Sequence, residues 1–209
     1  MIFRRSLLAA PAVLLLPRGL RAQLSQTGAG PKAGGGGVSV LDVHVANPSD
    51  LTQANWVPFS SSFIAQFGFP DPNSNPNASR LTASVTFGTY IQAAPTSPTI
   101  VTGQQYRLTG SFQPGIGGPY LYFGLSDGTN AAAGAFNLTT GTFNSNQNAG
   151  GGSVISNSIT AITNGYFTCS VVVSFTVVGA AKVTVGWGSI PSGGASVIGD
   201  TLTCYQVCV

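Results

Sequence analysis

The sequence predicts an all-β fold, an antiparallel β-sandwich of jelly-roll type. Residues 166–178 alternate over a full strand length. Phe167, Cys169, Val171, Val173, Phe175 and Val177 fall on one face, with Tyr166, Thr168, Ser170, Val172, Ser174 and Thr176 on the other. This period of two marks a half-buried strand. Shorter apolar runs recur between clusters of Pro, Asn, Gly and Ser, the residues from which turns are built. No long segment carries a helical period, which argues against a mixed α/β fold.

Taken in order, the chain begins with a segment set apart from the fold. Arg4 and Arg5 precede an apolar stretch, and Leu20-Arg21-Ala22 offers a cleavage point before Gln23. This layout predicts a secretory signal peptide over residues 1–22 and a secreted or periplasmic location. The apolar stretch is short for a bilayer span. Phe3-Arg4-Arg5-Ser6-Leu7-Leu8 also looks like a twin-arginine signal, so either export route fits. Residues 23–37 read as a flexible glycine-rich leader. The sandwich is expected over residues 38–209.

Within it, residues 38–45 place Leu41, Val43 and Val45 on one face, with Asp42 and His44 opposite. Residues 81–87 direct Leu81, Ala83, Val85 and Phe87 inward, and residues 106–112 do the same with Tyr106, Leu108 and Phe112. Residues 120–125 are apolar on both faces. Val183, Val185 and Trp187 form another inward set, and residues 201–209 close the chain. Strands at this spacing suit a sandwich or barrel.

Charge narrows the function classes. Without residues 1–22 the chain keeps four basic residues (Lys32, Arg80, Arg107, Lys182) against five aspartates and no glutamate, a formal charge of −1. No basic patch remains to neutralise phosphates, which argues against nucleic-acid binding. Catalysis has little to draw on. His44 is the only histidine, and Asp42-x-His44 lacks a serine elbow. Glycoside hydrolysis would need two carboxylates flanking one bond. No His/Cys cluster has zinc spacing, and no cofactor is expected.

Several segments carry a resemblance. Asn55-Trp56 is followed by a proline-asparagine loop and Ala78-Ser79-Arg80-Leu81-Thr82. Next come Phe136-Asn137-Leu138-Thr139-Thr140-Gly141-Thr142 and Asn164-Gly165-Tyr166-Phe167-Thr168-Cys169-Ser170, and finally Gly199-Asp200 before a terminal strand containing Gln206. This order resembles the carbohydrate-binding-module-like jelly-roll domains of phage tail-fibre and head-spike proteins and of some bacterial surface proteins. The terminal strand departs from that pattern, with Cys204-Tyr205-Gln206-Val207-Cys208 where Trp-Gly-Ala-Gln is common. The resemblance implies a non-catalytic glycan-binding module. The alternative is a structural or adhesive envelope or phage-tail-like protein that associates with itself or a surface partner.

Sugars are held by aromatic faces and by Asn, Asp and Gln side chains. The predicted ligand-binding set is Trp56, Tyr120, Tyr122 and Asp127. Tyr120 and Tyr122 share a strand face and could form a flat platform; packing between sheets is the alternative reading, and for Trp56 the alternative, which the resemblance implies, is packing near the first strand. Asp127-Gly128 also reads as a tight hairpin turn. Asp71, Asn73 and Asn75 place oxygens at alternate positions, reminiscent of a calcium loop, but with one carboxylate and Thr82 where a bidentate Glu would stand. Cys169 and Cys204 lie on inward faces, and a bond between them across the core is predicted, closing about 35 residues, with Cys208 free. Three buried, reduced thiols are the alternative.

Overall fold

The computed structural model describes residues 38–59, 63–86, 89–118, 120–187 and 196–209. The predicted signal peptide and leader lie outside them. Thirteen strands follow in chain order: β1 (Val40–Asp42), β2 (Trp56–Pro58), β3 (Phe63–Phe69), β4 (Ala78–Ala83), β5 (Thr89–Ala93), β6 (Gln105–Pro114) and β7 (Tyr120–Ser126), then β8 (Ala131–Asn137), β9 (Thr142–Ala149), β10 (Gly152–Ala161), β11 (Phe167–Phe175), β12 (Lys182–Trp187) and β13 (Thr201–Tyr205). The only helical piece among the described residues is a single 3-10 turn, Thr163–Gly165.

The strands form a two-sheet antiparallel sandwich. One sheet runs β10-β11-β6-β13-β4-β3, with β1 added in parallel along β6. The other runs β2-β5-β12-β7-β8-β9. The core lies between the sheets and takes the inward set of each strand: Leu108 and Phe112 of β6, Cys169, Val171, Val173 and Phe175 of β11, Leu121, Phe123 and Leu125 of β7, and Val183, Val185 and Trp187 of β12. Phe112 meets Phe123 edge-on across the layers, with ring centroids 5.1 Å apart.

The predicted inward sets of β6 and β12 are buried, as are Cys169, Val171, Val173 and Phe175 of β11, while Phe167 at its start is partly buried. Three further expected inward residues are not. Val177 is 63% exposed, because β11 ends at Phe175 and Thr176 turns to donate its N–H to Gly151 O. Val85 lies beyond the end of β4, and Leu41 points outward while Val43 and Val45 are buried. Phe87 falls outside the described residues.

The expected Cys169–Cys204 bond is not made. Cys169 pairs with Gly110 and Cys204 with Phe112 on opposite sides of β6. Both therefore belong to one sheet with a strand between them, roughly 10 Å apart, beyond the ~4.4–6.8 Å a disulfide spans. Cys169, Cys204 and Cys208 are all free and buried. Burial pushes each thiol well above its ordinary pKa, so none is a ready nucleophile.

The Asn164-Gly165-Tyr166 turn is a clasp. Asn164 adopts a left-handed φ of 57°, which asparagine tolerates better than most residues. Its Nδ2 donates to Pro72 O at 2.8 Å and to Ser74 Oγ at 3.0 Å. Tyr166, fully buried, donates its hydroxyl to Pro70 O. The turn before β11 is thereby fastened to the proline-asparagine loop before β4.

Candidate functional site

The site lies on the outward face of the second sheet. Leu121, Phe123 and Leu125 point into the core, so alternation sends Tyr120, Tyr122, Gly124 and Ser126 outward. Gly186 of β12 pairs with Tyr90 on one side and Tyr122 on the other. A Cβ at Gly186 would overlap Thr89 O and stand 2.6 Å from Tyr90 Cα, so the strand carries no side chain there. The two tyrosine rings lean toward each other across that gap, with centroids 6.2 Å apart. Phe59 stacks on Tyr90 at 4.4 Å, covering one face of that ring and leaving Tyr122 at the end of the row.

Beyond Tyr122 the floor is made of small residues. Gly124 pairs with Ala133, and Tyr122 with Ala135. Ala133 and Ala135 are fully buried although they face away from the core. Their larger cross-strand neighbours on this face are Tyr122 and Gln147. Two adjoining hollows of about 220 Å³ and 160 Å³ share Tyr122, Ala131 and Ala149. The first adds Tyr90, Ser126, Thr129 and Thr184, and the second adds Gln147 and Asn148. Together they form a shallow groove with an aromatic side and an amide side. Another hollow, of about 210 Å³, is bordered by Ala94, Pro95, Pro98, Ile100 and the 179–181 loop, with Thr99 its only side-chain hydroxyl.

The groove's polar groups are neutral and partly unoccupied. Gln147 Nε2 donates to Ser145 Oγ at 2.8 Å, leaving its Oε1 open. Asn148, paired with core-facing Ala132, turns its side chain to the other face of β9, where its Oδ1 accepts Val154 N–H at 3.0 Å. Burial pushes the Tyr122 phenol up to about 12, with the neighbouring Tyr90 adding to the rise. Burial also raises Tyr90. Both hydroxyls therefore stay protonated across the ordinary pH range and can donate as well as accept.

Asp127 borders the groove but does not face a ligand. Its Oδ1 accepts the N–H of Asn130 at 2.6 Å and of Thr129 at 2.9 Å; its Oδ2 accepts Gly179 N–H at 2.6 Å and Asn130 Nδ2 at 2.9 Å. The carboxylate ties the β7–β8 turn to the β11–β12 loop. Asn130 extends the tie, accepting Gly151 N–H at 2.7 Å. These bonds, led by that from Asn130 N–H, hold the Asp127 carboxyl well below the usual carboxylate range. A depressed folded-state pKa contributes stability that is full above the unfolded value of about 3.9. That contribution is lost as pH falls through the folded value. Urea unfolding at neutral and acid pH should therefore show Asp127→Asn less stable than wild type at neutral pH. The gap should close on acidification; a pH-independent gap would contradict this assignment.

The other predicted residues are placed differently. Trp56, expected on the binding surface, is 4% exposed and belongs to the core. Its Nε1 donates to Asn47 O at 3.1 Å. Tyr120 shares the outward face with Tyr122 but lies outside the groove. Asp71 is buried, and its Oδ1 accepts the N–H groups of Asn73 and Asn75 at 2.8 and 2.9 Å. Burial raises its pKa, but the bonds from Asn75, Asn73 and Asn77 outweigh it, and the net shift is downward. That carboxylate caps its own turn, while Asn73 and Asn75 are exposed, so the three do not converge as a calcium ligand set. No group of three or more His, Cys, Asp or Glu side chains comes together among the described residues. Asp42 pairs with Arg107 at 3.4 Å rather than with His44.

Phe59, Thr129 and Gln147 are site residues that the sequence alone does not single out. The fold and groove define an all-β two-sheet sandwich with a neutral outward cleft on one sheet. Compared with known proteins, the chain matches no family model, and no curated protein matches it in sequence.

Proposed function

We propose that this is an exported, non-catalytic glycan-binding module of the carbohydrate-binding-module-like kind, working in the periplasm or at the cell surface. The observation that carries the reading is the groove: an aromatic side at Tyr122, an amide side at Gln147, and a floor too small-chained to fill it. Sugar rings offer apolar faces and a rim of hydroxyls, which these groups complement. The sequence layout at residues 1–22 supports export.

The test is retention on immobilised polysaccharides. Tyr122→Ala should weaken binding by about tenfold or more, the effect of removing a central aromatic anchor, and should leave the circular dichroism spectrum unchanged. Equal retention of wild type and variant would remove the groove from the binding site.

A second reading, a structural or adhesive protein, rests on β10. This ten-residue strand forms one edge of its sheet. It has neither a charged residue nor a proline, the devices by which edges commonly resist pairing with another copy. Its one irregularity is a bulge between Val154 and Ser156.

A further inference from the structure

The chemistry around the groove specifies its ligand more narrowly, given that it binds glycans at all. Four polar groups bordering it have no protein partner among the described residues: the Tyr90 and Tyr122 hydroxyls, Thr129 Oγ1 and Gln147 Oε1. Three are hydroxyls that donate and accept, and one is an acceptor. None is charged. The nearest anion, Asp127, has both oxygens occupied by its own loop contacts. The nearest cation, Lys182, is the cross-strand neighbour of Ser126 at the rim and does not line either hollow.

We propose that the groove selects an uncharged sugar residue, one ring face on Tyr122 and its hydroxyls on Gln147, Thr129 and Tyr90, and discriminates against uronic, sialic or phosphorylated sugars. An anionic group placed here would surrender its hydration without meeting a cation, and burying an unpaired charge is strongly unfavourable. A hydroxyl finds both a donor and an acceptor. The two hollows are smaller than the ~300–1,000 Å³ of a typical enclosed ligand pocket, so the groove suits one or two rings of a longer chain.

The experiment measures binding of the mature protein to a neutral β-glucan and a neutral mannan, set against polygalacturonate and heparin. Each is measured from about 0.1 M to about 1 M NaCl, which shortens the Debye length from about 10 Å to about 3 Å. The expected result is retention on a neutral polysaccharide, changed less than about twofold by salt. Gln147→Ala should weaken it several-fold with an unchanged unfolding midpoint, and Lys182→Ala should leave it unchanged. Retention only on the polyanions, abolished by salt or by Lys182→Ala, would overturn the neutral specificity while leaving a glycan-binding protein. Failure to bind any of the four would overturn the glycan reading together with this one.

Discussion

Trp56→Ala should destabilise the protein by about 3–5 kcal/mol, the usual consequence of deleting a fully packed aromatic. The ring is enclosed with Val43, Val45 and Leu51 in one core cluster. The segment preceding it folds back over it. Asn55 Nδ2 donates to Ala46 O at 2.7 Å, Asn47 Nδ2 to Asn55 Oδ1 at 3.0 Å, and the indole itself to Asn47 O. Truncation leaves a cavity and removes one of the two donors to Asn47 O, which keeps the Asp50 N–H. Denaturant unfolding of Trp56→Ala beside Tyr122→Ala separates the two roles: the first should lose stability and the second affinity. An unchanged unfolding midpoint in Trp56→Ala would show that the indole is not a core residue.

Gly124→Val should also be damaging, at or above the ~1–3 kcal/mol typical of overpacking. A Cβ at Gly124 would overlap Ala132 O and stand 2.5 Å from Ala133 Cβ. Those atoms belong to the paired strand β8 and cannot rotate away as the end of a long side chain could. The β7–β8 ladder would have to open under the groove. The variant should show a lower unfolding midpoint and reduced soluble yield; a wild-type midpoint would mean that β8 does not pack this closely on β7.

The parts of the fold legible in the sequence are those where burial is one-sided and side chains are large. β11 and β12 announce themselves through Val, Phe and Trp at alternate positions. β8, β9 and β10 do not. β8 reads Ala-Ala-Ala-Gly-Ala-Phe-Asn because both of its faces are covered at short range. At Gly134 even a Cβ would meet the Phe136 ring at 2.7 Å. Alanine and glycine are weak strand formers in isolation, and tertiary crowding overrides that preference. β9 and β10 are edge strands whose Asn, Ser and Thr residues look like loop composition.

The site was half legible for the same reason. Tyr122 stood out as an aromatic on an alternating strand. Gln147 joins it only because β9 pairs with β8, a neighbour set by register rather than by chain proximity. Trp56 misled because polar residues flank it; those residues turn out to close a loop over it. Asp127, beside the turn glycine Gly128, does border the groove, but its oxygens are taken by three backbone N–H groups and the Asn130 amide.

On the proposed glycan-binding reading, Asp127's loop contacts bear on the kinetics of recognition. One wall of the groove, residues 126–129, is fastened at Gly179 to the loop that follows β11, and Asn130 fastens it again at Gly151. The wall is thus ordered during folding, and an arriving ligand has little chain entropy left to remove from it. A preorganised cleft of this kind binds without a slow conformational step. Weak affinity for a single ring would then arise from a fast off-rate, and tight attachment to a polymer from many brief, repeated engagements along it.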